Sequence, residues 1–224
     1  MATHEDEIAR SVGTVAGVRH GFSVHLAEAN RLAAIQTPEE RFDTARALLN
    51  DDRDTVRMLA VTLCETIQRE NPPLAAEVLG WLRGTVSADP GWRVQEMLAR
   101  AFDAHCAATG YEAVLPEIAS WLGDERANVR RACSEGLRIW TSRPFFREHP
   151  EAAIRLLATL RADPSASVRK SAGNALRDIS RKHPDLISAE LTTWDLTDKA
   201  TLETWKLASR SSREQGLLDS GGGS

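Results

Sequence analysis

The chain holds 224 residues, 42% apolar and 27% charged, the make-up of an ordinary soluble globular domain with room for a sizeable core. No apolar run approaches the length of a membrane-spanning helix, and the acidic N-terminus (Met-Ala-Thr-His-Glu-Asp-Glu) carries no apolar signal segment. A formal net charge of -4 weighs against a uniformly basic nucleic-acid binder, so the placement of charge matters more than its sum.

In chain order, residues 1–36 are expected to supply one or two N-terminal capping helices, weakly patterned over 5–33. Thr37-Pro38-Glu39-Glu40 reads as a capping box with Pro at the first helical position, opening a helix to Leu49. Asp52 to Cys64 then begins with an acidic turn, continues through Val56 and runs on as a helix. Pro72 or Pro73 starts a partner helix to Thr85, and Asp89 to Phe102 repeats the acidic turn around Val94. Residues 111–122 form the next partner, and Asp124 to Leu137 repeats the pattern around Val129. Residues 149–162 follow, and Asp163 to Leu176 repeats it around Val168. A last helical pair spans 184–193 and 197–210. Pro150 and Pro184 sit where Pro is tolerated at a helix start. Residues 211–224, ending Asp-Ser-Gly-Gly-Gly-Ser, read as a flexible linker-like tail.

The four valines recur 38, 35 and 39 residues apart, near the lower edge of the roughly 40–47 residues of a HEAT helical pair. Four residues after each Val stand Ala60, Leu98, Cys133 and Ala172; seven after, Leu63, Ala101, Gly136 and Ala175. Eight after come Cys64, Phe102, Leu137 and Leu176; eleven after, Ile67, His105, Trp140 and Ile179. These offsets make one stripe of a helix, and nothing alternates with period two. The expected fold is therefore all-α: a HEAT-like helical-repeat solenoid, an α-α superhelix, occupying 37–210. His105, the polar member of the stripe, reads as a satisfied core histidine rather than a ligand.

Positions two and six residues after each Val lie off the apolar stripe and share a face. They hold Met58 and Thr62, Glu96 and Arg100, Arg131 and Glu135, Lys170 and Asn174, with Trp92 one turn before Glu96. In a solenoid this face would line the concave surface. Charge is uneven along the chain: residues 125–182 carry 13 Lys or Arg against 6 Asp or Glu, whereas residues 1–124 carry 11 against 19. Arg130, Arg131, Arg138, Arg169, Lys170, Arg177, Arg181 and Lys182 dominate that segment, which reads either as a phosphate-binding footprint or as a solvated helix face. Trp92 and Glu96 have two readings as well. An aromatic face beside a carboxylate can hold a cationic sugar or base. Alternatively Trp92 packs at a helix start and Glu96 pairs with Arg100.

No GxGxxG, Walker-type, HExxH or GxSxG motif occurs, and His105 and Cys106, being adjacent, point to different helix faces. No metal and no cofactor are expected. Cys64, Cys106 and Cys133 are widely spaced without CxxC pairing and suggest the reduced thiols of a cytoplasmic protein.

The stretch Val129-Arg130-Arg131-Ala132-Cys133-Ser134-Glu135-Gly136-Leu137-Arg138 resembles the VRRxxSEGxR segment of AlkC-type alkylation-repair proteins. Asp163 to Ser180 resembles their DxSxxVRxSxxNxLxDI segment, and Lys182-His183-Pro184-Asp185-Leu186 fits as well. The resemblance is good over 125–190, looser over 85–124 and not evident before 35. It implies a HEAT-repeat DNA alkylation-repair protein of the AlkC/AlkD glycosylase superfamily. Such a protein would hydrolyse the N-glycosidic bond of N3- or N7-alkylated purines in duplex DNA, as a monomer without metal. In the AlkD branch a Trp stands four residues before a catalytic carboxylate, a spacing that Trp92 and Glu96 match with Glu in place of Asp. Arg131 stands where that branch has an Arg in the following repeat. Asn174 stands where it has a second Trp, a departure toward the AlkC-like pattern. The resemblance thus implies Glu96, Glu135 and Trp92 as catalytic residues. It implies Arg100, Arg131, Arg138, Lys170, Asn174, Arg177 and Arg181 as DNA contacts. A non-catalytic DNA-binding relative and a protein-interaction scaffold remain the alternatives, because fold does not dictate catalysis.

Overall fold

A computed structural model describes residues 3–211. Among them the chain forms thirteen α-helices and one short 3-10 turn, with no strand. It divides into two compact units, Met1–Gly110 and Tyr111–Ser224. The linker-like segment expected at 211–224 lies, apart from Ser211, outside the described residues.

The first unit contains α1 (His4–Val15), α2 (Ser23–Ala33), α3 (Pro38–Leu48), α4 (Asp54–Glu70), α5 (Pro72–Gly84), a turn at Val86–Ala88 and α6 (Trp92–Thr109). The capping box read from Thr37 and Glu40 forms in both directions, at 3.2 and 2.8 Å, and Thr3 with Asp6 builds a second one at the start of α1. Each such cap satisfies two orphan helix donors and contributes about 1 kcal/mol. α4 is the hub: it packs against α2, α3, α5 and α6. Val15, Leu32, Leu48, Val56, Leu59 and Leu63 meet in the core beneath it.

The second unit contains α7 (Leu115–Leu122), α8 (Ala127–Trp140), α9 (Pro144–Glu148), α10 (Pro150–Ala158), α11 (Ala166–Ser180), α12 (Pro184–Leu191) and α13 (Lys199–Ala208). α11 is its hub, packed on α8 and α13. Gly173 permits the approach of α13, since a Cβ there would lie 2.8 Å from Leu207 Cβ and 3.1 Å from the Thr204 carbonyl. Tyr111, Trp140 and Phe146 form an aromatic cluster with centroids 5.3–5.7 Å apart. The five-residue helix α9 has no counterpart in the expected elements. His149 and His183 are the residues before the first turns of α10 and α12, as their Pro neighbours predicted.

The apolar stripe is buried at every position, from Val56, Val94, Val129 and Val168 to Ile67, Trp140 and Ile179. His105 is buried in it with Nδ1 3.1 Å from Gln68 Oε1. The acidic turns have one construction. Asp51, Asp89, Asp124 and Asp163 each accept the backbone N–H two residues on, at 2.7–2.9 Å, the Asx turn that short acidic side chains favour. The residue after each Val then clamps these turns. Arg57 donates to the Asp51 and Asp52 carbonyls and grips both carboxylate oxygens of Asp89, at 2.6 and 3.2 Å. Arg130 does the same with the Asp124 and Glu125 carbonyls and with Asp163, at 2.6 and 2.8 Å. The aspartate hydrogen bonds raise both guanidinium pKa values above the ordinary one, against the opposing effect of burial.

Candidate functional site

Trp92 is the first residue of α6, and its indole is 62% exposed rather than packed at the helix start. Glu96 follows one turn later. Both line a half-open cleft of about 230 Å³ in the first unit, with Phe22, His25, Met58 and Arg93 around it. The connection between α1 and α2 adds Val18, Arg19, His20, Gly21 and Phe22 to the lining, and Gly21 takes φ +77°, a conformation that favours glycine. Arg93 ties this connection to α6: its guanidinium carbon lies 5.5 Å from the Trp92 ring, Nη2 donates to the Arg19 carbonyl at 3.0 Å and Nη1 is 3.6 Å from Asp54.

His25 forms part of the cleft wall and is fully buried. Its Nε2 is 2.9 Å from the Thr55 carbonyl. A carbonyl can only accept, so Nε2 carries the proton and Nδ1 bears the lone pair. Nδ1 is buried without a hydrogen-bond partner. Burial pushes the imidazole pKa below its ordinary value; the Thr55 hydrogen bond opposes this, the Arg93 charge adds to it and Asp54 opposes it.

The remaining expected site residues have other surroundings. Met58 and Thr62 are almost wholly buried: Met58 borders the cleft, and Thr62 Oγ1 lies 3.6 Å from Met97 Sδ on α6. Arg100 grips Glu65 with two bonds, at 3.0 and 3.1 Å. Arg131, Glu135, Arg138, Lys170, Asn174, Arg177 and Arg181 all belong to the second unit, on α8, α11 and the end of α11. Glu135 accepts Ser171 Oγ at 2.8 Å and Arg138 Nη1 at 3.2 Å. Ser134 donates to Ser171 at 2.8 Å, and Arg138 reaches Asp178 with two bonds, at 2.8 and 3.0 Å. Arg177 and Arg181 also approach Asp178, at 3.4 and 3.9 Å. Arg169 spends its guanidinium on the Asp163 and Pro164 carbonyls and on Glu203. Arg131 and Lys170 form no ion pair with another described residue, and Lys170 is exposed.

The SEG stretch therefore has a packing explanation. Ser134 and Glu135 tie α8 to α11, and a Cβ on Gly136 would lie 2.7 Å from the Trp140 ring. His25 and the connection before it escaped the reading of the sequence. The two glycines at 17 and 21 bracketing Arg19 and His20 were the available signal, and they fell outside the repeat register. Among the described residues no cluster of three metal-ligating side chains is present, and no helix is long and apolar enough to cross a membrane.

Residues 14–210 match the family model described as DNA alkylation repair enzyme. The crystal structure of AlkD2 from Streptococcus mutans is similar at 41% identity and a TM-score of 0.87, covering 93% of this chain and 98% of that one. The Pseudomonas fluorescens alkylpurine DNA glycosylase AlkC, solved on DNA containing an abasic-site analog, shares the fold at 20% identity and a TM-score of 0.50, covering 95% of this chain and 63% of that one. Protein YhaZ of Bacillus subtilis (strain 168) is 34% identical over 87 residues, 37% of this chain and 24% of YhaZ, so the chain matches about a quarter of that relative's length.

Proposed function

This chain belongs to the DNA alkylation repair enzyme family, and from that premise we propose that it is a glycosylase hydrolysing the N-glycosidic bond of N3- or N7-alkylated purines in duplex DNA. The observation that carries this reading is the pairing of an exposed indole with a carboxylate one turn away on one cleft wall. An alkylated purine is cationic, and its bond to the sugar is already weakened. Trp92 offers it a π face, and Glu96 offers negative charge to the oxocarbenium ion that forms as the bond breaks, and orients water toward it. Exposed Lys170, with Arg131, supplies phosphate contacts from the second unit. The protein acts as a cytoplasmic monomer, without metal or cofactor. Glu135 takes a positioning role on this reading, because Ser171 and Arg138 already occupy its oxygens.

A second reading is a DNA-binding relative that does not excise: Glu135, one of the two expected carboxylates, is already held by Ser171 and Arg138. One experiment separates them: incubation with duplex DNA carrying N3- or N7-methylpurines, with released base and retained complex both measured. Release abolished by Glu96→Gln supports the glycosylase; a retained complex without release supports the second reading. Absence of both returns the chain to a protein-interaction scaffold.

A further inference from the structure

Two concavities meet at the start of α6, and one piece of chain divides them. On one side is the cleft of about 230 Å³ that holds Trp92 and Glu96. On the other is an open basin of about 700 Å³ over the start of α4, bordered by Asp52, Asp54 and Thr55. Val18, Arg19, His20 and Arg93 border both. The connection between α1 and α2, with Arg93 against it, is therefore a partition.

This partition is fixed at its ends and not in its middle. Thr55, in the first turn of α4, holds both ends. Its Oγ1 donates to the Ala16 carbonyl at 3.3 Å, and its own carbonyl accepts from His25 Nε2 at 2.9 Å. The Val18 N–H is spent on the last turn of α1, 3.0 Å from the Val15 carbonyl. Between Val18 and α2, among the described residues, one hydrogen bond joins the connection to another element: Arg93 Nη2 to the Arg19 carbonyl, 3.0 Å. Arg19 and His20 are exposed, and their side chains form no ion pair with another described residue. Gly21 supplies a pivot, since a Cβ there would meet nothing within 4 Å and its φ of +77° is open to glycine. The tether is itself divided, because Arg93 Nη1 also lies 3.6 Å from Asp54. A short exposed segment with fixed ends and one bond across to its neighbours belongs to the low-stability end of a fold, from which lids are drawn.

We infer that residues 19–21 are a gate on the cleft, latched by Arg93, whose opening joins the cleft to the basin. Closed, the cleft lies below the roughly 300–1,000 Å³ of pockets that enclose whole drug-sized molecules; the basin alone lies within that range. The gate sets the size of molecule that reaches the cleft wall, whatever that molecule is.

The test places a reporter on that wall and varies the latch. Met58 is 2% exposed and borders the cleft, and the three native cysteines are fully buried. In the full chain carrying Met58→Cys, alkylation at position 58 is timed by peptide mass with small iodoacetamide and with bulky fluorescein-maleimide. Adding Arg93→Gln should speed the bulky reagent roughly tenfold, the worth of one charge-assisted hydrogen bond. The small reagent should change little, and Cys64, Cys106 and Cys133 should stay unlabelled. Asp54→Asn, which loosens Arg93 without removing it, should give a smaller rise in the same direction, and carries the test if the Arg93→Gln chain does not fold. An unchanged rate for the bulky reagent, equal acceleration of both reagents, or labelling of the native cysteines along with position 58 overturns the gate. No DNA enters the measurement, so its failure leaves the glycosylase reading standing, and absence of base release leaves the gate standing.

Discussion

At the start of α6 the chemistry-bearing side chains face a cleft, with Trp92 largely exposed and Glu96 beside it. On α8 and α11 the same kinds of residue are closed on one another: Ser134 to Ser171, Ser171 to Glu135, Glu135 to Arg138, Arg138 to Asp178. The second region carries the more specific motif, and the first carries the more exposed aromatic face. The contrast teaches that a charged motif repeated in a helical array records first how one helix pair is locked to the next. Availability for a ligand has to be read from what each charge already holds.

The contrast is broken or sharpened by mutation. The largest expected effect is on the clamps. Arg130→Ala leaves Asp163 buried without its guanidinium, and removal of one partner from a buried pair costs about 3–5 kcal/mol. A melting temperature lowered by roughly 10 °C is expected, and Arg57→Ala should match it through Asp89. If Arg130→Ala kept its melting temperature and lost DNA affinity, the basic motif would be a phosphate site after all. Next comes the pair of carboxylates. Glu96→Gln should cut base excision by about a hundredfold, on the order of 3 kcal/mol of barrier, with little change in melting. Glu135→Gln should chiefly lower the melting temperature, and equal losses of excision in the two variants would erase the distinction between the regions.

Smaller again is the double reversal Arg131→Glu with Lys170→Glu, two basic positions that form no ion pair with another described residue. Affinity for duplex DNA of any sequence should fall, and the slope of log affinity against log salt should shrink by about 0.9 for each phosphate no longer neutralised. Unchanged binding would favour a scaffold. The least is the pH dependence of His25. Its folded pKa lies below the ordinary value, so the unfolded chain takes up the proton first as pH falls. Stability is fully present above about pH 6.5 and declines below it toward the folded pKa. Arg93 reinforces the shift and Asp54 and Thr55 oppose it. Comparing urea midpoints of the unmutated chain and His25→Gln between pH 5 and 7 isolates this slope; identical slopes would mean that His25 is not the titrating group.

Most of the fold was legible because one period governs it. The Val-anchored stripe predicts every buried position of α4, α6, α8 and α11 that it names, and Thr37 with Glu40 predicts the start of α3 to the residue. The short helix α9 was not legible, since five residues carry no periodicity. The candidate site was half legible. The spacing of Trp92 and Glu96 marked it, but whether the indole was open or packed depends on neighbours brought in from α2 and the connection before it. The basic residues misled in one respect: Arg130 and Arg169 look the same in sequence whether they meet phosphate or a carboxylate further along the chain, Asp163 and Glu203 respectively.

Asp89 and Asp163 each hold two things at once, a backbone amide of their own turn and an arginine from the Val-anchored helix of the preceding repeat, α4 or α8. Neither turn can open without releasing that arginine, and the arginine cannot leave without freeing the carbonyls of the earlier turn. Local openings should therefore come in adjacent pairs instead of singly. In hydrogen exchange the amides of Gly91 and Ser165 should exchange far more slowly than the exposure of their turns suggests. Arg57→Lys and Arg130→Lys, which keep the charge but not the two-pronged grip, should release them. Rapid exchange of both amides in the unmutated chain would show that the turns open independently.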